Sequence, residues 1–201
     1  MSDTPNYFTQ FDLPLHLHID TPALEKSFYA HSRRLHPDRF AAKPPAEQEA
    51  ALRASSDLND AYRTLRDPIA RTEYLLSLEG IQLEEQSRAA TDAAKASGTA
   101  KKQIAPPDLL EEAFELNMQL EEMRMGDDPD TRAALEEART KFTSMLNDLQ
   151  TQLEALWSQW DAAVDANDSA AKDKAKDAMV ALLNRRSYVR NLVRDVNSAL
   201  E

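Results

Sequence analysis

The sequence contains no cysteine, and that absence removes several functions at once. The chain forms no disulfide, offers no thiolate zinc site and holds no iron–sulfur cluster through its own sulfur. Glycine occurs only three times in 201 residues, and valine and isoleucine are sparse beside Ala, Leu, Glu, Gln and Arg. That shortage of turn-forming and β-branched residues points to an all-α chain. No run of about 18 apolar residues appears, so no membrane-spanning helix is expected. The opening "MSDTPNYFTQ" lacks the basic-then-apolar pattern of a secretion signal, and a soluble cytoplasmic protein is the expectation. Positive charge is also short. Lys and Arg number 24 against 35 Asp and Glu, and the net charge of −11 argues against binding nucleic acid non-specifically.

What is present is helix punctuation. The length allows one large domain or two small ones. "NYFTQFDLP" is a short apolar cluster that Pro14 ends. Thr21 reads as a helix N-cap with Pro22 at the first helical position, and that helix runs to about His36. A second helix spans about Ala46 to Arg66, with Leu58, Tyr62 and Leu65 at helical spacing. "RDP" stops it and starts a third, capped by Asp67 and ended by Gly80. Residues 83–107, mostly "EEQSRAATDAAKASGTAKKQIAPP", are poor in large apolar side chains and read as a linker. Three helical segments follow, about 108–125, 129–165 and 168–200, broken at Gly126–Pro129 and at "DANDS". Leu135, Ala138, Phe142, Leu146, Leu149, Leu153, Leu156 and Trp160 sit three or four apart, the stripe of a bundle helix. The expected domains are 1–82, a linker at 83–107, and an antiparallel three-helix bundle at 108–201.

The first long helix has two faces. With Lys26 set at zero, Leu24, Phe28, His31 and Leu35 fall between roughly 140° and 200°, and Lys26, Arg33 and Arg34 between roughly −20° and 80°. One face packs and the other is basic. A basic stripe is commonly just a solvated surface, but here it stands on a strongly acidic chain, which suits an acidic partner. Pro37 has no amide hydrogen and disfavours helical geometry at His36, so the helix stops there. His36 and Asp38 are then displayed on a tight turn beside the basic stripe. As a bare tripeptide His-Pro-Asp is only a helix stop; its position makes it more.

Residues 5–80 resemble a J-domain: a short helix, a basic helix, His36-Pro37-Asp38 in the loop, and an antiparallel helix ending in "NDAYRTLRDPIAR". The resemblance implies that the basic helix and the turn dock on a DnaK-type chaperone and drive hydrolysis of its ATP. It also implies a chaperone-binding set of His36, Pro37, Asp38, Lys26, Arg33 and Arg34. No Gly/Phe-rich segment and no CxxCxGxG repeat follows. Instead "NYFTQFDLP", "RTEYLLSL" and the acidic bundle together resemble the HscB family, a match strongest before Gly80. It implies an all-α fold, an N-terminal J-domain helical hairpin plus a C-terminal antiparallel three-helix bundle. It further implies two partners: a specialised DnaK-type (HscA-like) ATPase chaperone and the iron–sulfur cluster scaffold protein.

The first bundle helix supports a partner site on its own pattern. With Leu109 at zero, Leu109, Ala113, Leu116, Leu120 and Met123 lie within roughly 40° of one direction, while Leu110, Phe114 and Met118 lie at roughly 100° to 180°. Glu111, Glu115 and Glu122 flank that second stripe. It is either core against both neighbours or an apolar anchor row with an acidic rim. Carried over from the resemblance, the scaffold-binding positions are Leu110, Phe114, Glu115, Met118, Glu122 and Tyr188. An enzyme reading is poor. His16 and His18 form an HxH pair, but no carboxylate constellation completes a catalytic or metal site, and surface histidines beside a short helix are the simpler account. No cofactor is expected, and any cluster stays on the partner. The runner-up is a general J-domain co-chaperone delivering unfolded clients, which calls for an exposed groove rather than a compact acidic bundle.

Overall fold

In the computed structural model, residues 6–81, 83, 106–126 and 128–201 are described. Apart from Leu83, Pro106 and Pro107, the linker expected at 83–107 lies outside the described residues. Every regular element among the described residues is helical. The helices are α1 (Tyr7–Gln10), α2 (Thr21–Leu35), α3 (Pro45–Arg66), α4 (Pro68–Leu78), α5 (Leu110–Met125), α6 (Pro129–Asp165) and α7 (Ser169–Leu200). Two single 3₁₀ turns, Pro37–Phe40 and Pro107–Leu109, complete them. The chain divides into two compact units, Met1–Ile81 with Trp157–Ala175, and Gln82–Leu156 with Lys176–Glu201.

Capping chemistry sets the helix ends. The Asn6 side chain accepts from the Thr9 amide while the Thr9 hydroxyl faces the Asn6 amide, a reciprocal box that holds the single turn of α1. The cap of α2 is Asp20, one residue before the Thr21 that the sequence suggests; its carboxylate accepts from the Ala23 amide at 3.0 Å. Asp and Thr both cap well, and here the acid in the earlier position takes the orphan amide, leaving Thr21 as the first helical residue. Asp67 caps α4 as expected, accepting from Ala70 N–H at 2.7 Å with Pro68 behind it. Gly80 closes α4 at φ 82°, and the amides of Gly80 and Ile81 return to the carbonyls of Ser77 and Leu76. That is a Schellman end, and it needs the left-handed conformation glycine tolerates. Asn167 (φ 49°) repeats the same bond pattern after α6, and Asp168 then caps α7 through the Ala171 amide.

In the first unit α2 and α3 form an antiparallel hairpin. Phe28 at the middle of α2 stacks on Tyr62 near the end of α3, with ring centroids 4.2 Å apart, and Glu25 one turn nearer the start of α2 accepts from the Tyr62 hydroxyl. Its core takes Phe8, Phe11, Leu17, Leu24, Ala51, Leu58, Ala61, Leu65, Leu75 and Leu76, joined by Trp157 and Trp160. The indole N–H groups bond to Thr72 Oγ1 (2.9 Å) and the Leu15 carbonyl (2.8 Å), so neither buried ring leaves a donor unmet. In the second unit α5, α6 and α7 form the antiparallel three-helix bundle. Lys141, about three turns into α6, pairs at 3.6 Å with Glu112, about as far back from the end of α5. Arg132 at the start of α6 donates to the Leu200 carbonyl at the end of α7 at 3.2 Å. Leu109, Ala113, Leu116, Leu135, Phe142, Leu149, Leu153, Met179, Val189 and Val196 fill its core.

Candidate functional site

The first site is a turn set by its backbone. His36 leaves the helix at φ −59°, ψ 128°, an extended geometry that a residue before proline favours. Pro37 opens the 3₁₀ turn, and Arg39 N–H donates to the His36 carbonyl at 3.0 Å. The Asp38 amide donates to His36 Nδ1 at 3.3 Å. The Asp38 carboxylate approaches Nδ1 at 3.5 Å and is 90% exposed. From behind, Gln48 on α3 donates to the carbonyls of Ala41 (3.3 Å) and Lys43 (2.8 Å), pinning the loop to its helix. The turn therefore presents one imidazole and one exposed carboxylate on a braced frame.

Beside it, Lys26, Arg33 and Arg34 are all exposed, and none pairs with a carboxylate among the described residues. Leu24 is buried on the opposite side and Phe28, His31 and Leu35 are half-buried, as the helical phases require. His31 stacks against Phe11 at 6.0 Å between centroids. The six N-terminal candidates thus share one helix and the turn that ends it.

The second site is the outer face of α5. Leu110, Phe114 and Met118 are 55%, 68% and 51% exposed, whereas Leu116 on the same helix is 2% exposed. The second apolar stripe is on the surface, not in the core. Glu115 and Glu122 are exposed along its edge. Tyr188 stands on α7 and is half-buried, and burial pushes its hydroxyl above the ordinary tyrosine value of 10.0. One turn earlier on α7, Arg185 pairs with Asp108 at the foot of α5, which fixes the stretch of α7 bearing Tyr188 to the start of α5. The Arg185 hydrogen bond holds the Asp108 carboxyl below its ordinary range. Met125 continues the apolar row to the end of α5 with its side chain almost fully exposed, and only the position of its phase could have found it.

A third cluster escaped the sequence reading. Arg71 is buried, its guanidinium donates to the Leu65 carbonyl at 2.5 Å, and its charge lies 4.8 Å over the Trp157 ring. Burial pushes its guanidinium below the usual value, while Asp67 and Asp161 oppose that shift. The Asp161 carboxylate accepts from the amides of Leu17 (2.7 Å) and His18 (3.0 Å) and faces His18 Nδ1 at 2.8 Å. His16 pairs with Asp165 at 2.9 Å. The HxH pair is therefore a structural clasp onto α6. No group of three or more metal-ligating side chains is placed to hold an ion among the described residues. No described helix is long and apolar enough to cross a membrane.

An all-α chain with a helical hairpin that ends its basic helix in a displayed His-Pro-Asp turn, joined to a three-helix bundle, has the architecture of a J-domain co-chaperone. Co-chaperone protein HscB homologs from two strains of Vibrio cholerae serotype O1 are 36% identical to it over 162 residues, 80% of this chain and 85% of theirs. A third strain's homolog is 35% identical over the same share. The solved Chaperone HscB from Vibrio cholerae superposes with a TM-score of 0.62 at 29% identity, covering 96% of each chain. The human co-chaperone protein HscB shares the fold, with a TM-score of 0.64 at 22% identity over 98% of this chain and 83% of that one. No family model matches the chain. The chain belongs to the HscB co-chaperone family.

Proposed function

We propose that this protein stimulates the ATPase of a specialised DnaK-type (HscA-like) chaperone and delivers to it the scaffold protein on which iron–sulfur clusters are built. Residues 1–82 carry the chaperone-docking part and residues 108–201 the scaffold-binding part, and the protein works in the cytoplasm without chemistry of its own. The observation that carries the reading is the braced, exposed His36-Pro37-Asp38 turn at the end of a helix whose Lys26, Arg33 and Arg34 have no ion-pair partner among the described residues. The exposed Asp38 carboxylate is suited to accept charge-assisted hydrogen bonds from an arginine on the chaperone. Pro37 presents it at low entropic cost, and Lys26, Arg33 and Arg34 steer and align an acidic partner. No proton or electron transfer is asked of any of them.

For the scaffold, Leu110, Phe114 and Met118 supply apolar anchors, Tyr188 adds an aromatic with a polar tip, and Glu115 and Glu122 supply an acidic rim for a basic partner. The cluster is cargo: this chain has no cysteine to offer it, so it rides on the scaffold's own ligands. Single-turnover ATP hydrolysis by the candidate chaperone tests the reading. Adding this protein should raise the rate, and adding scaffold with it should raise the rate further. No stimulation of any DnaK-type chaperone from the same cell would refute it.

A further inference from the structure

Some basic residues on this acidic chain are matched by acids. Arg53 pairs with Glu49, Arg124 with Glu121, Lys141 with Glu112 and Arg185 with Asp108. Arg63 and Arg66, at the end of α3, are exposed and make no ion pair among the described residues. Asp67, four residues after Arg63, is instead spent on the Ala70 amide. With Leu58 at zero, the buried residues of α3 lie between roughly −60° and 20°, and Tyr62, Arg66 and Arg63 follow at roughly 40°, 80° and 140°. Tyr62 is the side that meets α2, because its ring stacks on Phe28 and its hydroxyl donates to Glu25 at 3.4 Å. The Arg66 guanidinium lies 5.9 Å over the same ring. Tyr62, Arg63, Arg66, Asp67 and Pro68 line an open depression of about 310 Å³.

On α2, Glu25, Tyr29, Arg33 and Lys26 succeed one another at roughly −100°, −60°, −20° and 0°, leading from the Phe28–Tyr62 seam to the basic face. Tyr29 is half-exposed there with its ring 5.4 Å from Phe28. Glu25 is the acid on this path, and Tyr62 already engages it. We infer that the basic docking face crosses the seam onto α3, so that Arg63 and Arg66, held beside Tyr62, form with Lys26 and Arg33 a two-helix cradle for an acidic segment of the ATPase chaperone. The inference rests on the co-chaperone reading above and extends its docking surface to residues outside the basic helix. Charge complementarity identifies the occupant: unpaired guanidinium groups around an aromatic floor recognise carboxylates.

The test is single-turnover ATP hydrolysis by the chaperone, titrated with the full-length protein at about 50 mM and about 300 mM salt. The double variant Arg63→Glu/Arg66→Glu should raise the half-saturating concentration about tenfold at low salt and less at high salt, with an unchanged plateau rate. Arg63→Gln/Arg66→Gln, the milder pair, should shift it in the same direction. Arg53→Glu, more than two turns earlier on α3 and already paired with Glu49, should leave it unchanged. Unaltered half-saturation in both arginine pairs overturns the inference, as does an equal shift with Arg53→Glu, which would be a net-charge effect. Sedimentation showing that wild type dimerises and the double variant does not would give the cradle to a second copy of this chain and overturn it too. The underlying reading fails separately, through a wild-type protein that does not stimulate or an Asp38→Asn variant that stimulates fully.

Discussion

The basic helix α2 and the bundle helix α5 are alike in one respect: each buries little of itself. Leu24 is the fully buried residue of α2, and Ala113 and Leu116 are those of α5. Both helices thus leave a broad face free, but the faces are opposite in kind. On α2 it is cationic and ends in a rigid polar turn; on α5 it is apolar and edged with glutamates. A charged face acts at range, is weakened by salt, and governs how fast partners meet and in what orientation. An apolar face acts only on contact and governs how slowly they part. On the reading proposed here, one face makes a transient, triggering contact and the other holds cargo.

The largest effect should come from the turn, and it would break the contrast if the turn were merely structural. His36→Gln or Asp38→Asn should abolish stimulation of the chaperone ATPase while helicity and melting temperature stay within error of wild type. Both side chains are solvent-facing, and the main stabilising bonds of the loop come from Gln48 and the backbone. Full stimulation by either variant would make the turn a helix stop and nothing more.

The sequence was informative where local chemistry decides. Asp67-Pro68, Gly80 and His36-Pro37 place helix ends almost to the residue, because caps and prolines act within one turn. Helical phase also separated Leu116 from Phe114, since a single buried stripe suffices for a bundle helix. It failed where a partner comes from far along the chain. Trp157, not Leu156, is the buried neighbour of Trp160, because that stretch of α6 packs in the first unit against Thr72 and Arg71. No periodicity within α6 announces a contact 85 positions away. His16 and His18 were legible as a pair but not as a clasp for the same reason.

That distant packing gives the second prediction. Trp160→Ala should cost about 3–5 kcal/mol, read by denaturant unfolding, since it empties a buried site and orphans the Leu15 carbonyl. Protein still folded under assay conditions should trigger the chaperone normally, because the turn lies elsewhere. A fragment of residues 1–82 lacks both tryptophans and should therefore melt well below the intact chain. A fragment as stable as the whole would show that the first unit does not rely on α6.

The third sharpens the contrast within α5 alone. Leu116→Ala, on the buried side, should cost about 2–5 kcal/mol of stability and leave scaffold affinity unchanged in the folded fraction. Phe114→Ala, two residues away, should do the reverse: an unaltered melt with at least roughly tenfold weaker binding by calorimetric titration. Adding Tyr188→Ala should weaken it further. Glu122→Gln should cost less and show mainly in the association rate. Unchanged binding by a stably folded Phe114→Ala/Tyr188→Ala variant removes this face from the proposal.

The smallest expected effect asks whether stability and triggering are separable in the first unit. Tyr74 stacks on Tyr7 at 4.3 Å between centroids, and its hydroxyl oxygen accepts from the Tyr7 amide at 3.0 Å. Tyr74→Phe keeps the stack and removes the acceptor, so it should cost about 1 kcal/mol. Burial raises the Tyr74 hydroxyl above its ordinary 10.0, with the Tyr7 amide pulling it down and the Tyr7 side chain pushing it up. A raised value means that the folded state holds this proton more tightly than the unfolded chain does. The resulting stabilisation is fully present below pH 10 and disappears as pH climbs through the raised value. Wild type should therefore lose stability more steeply than Tyr74→Phe in that alkaline window, and the two should run parallel at neutral pH. Urea midpoints measured across the window check the slope. Stimulation of the chaperone at neutral pH should be the same for both proteins, because Tyr74 braces α1 and not the turn. A Tyr74→Phe variant that is stable yet slow to trigger would mean that the packing of α1 on α4 feeds into the docking face, and the separation drawn between scaffold and surface in this unit would not hold.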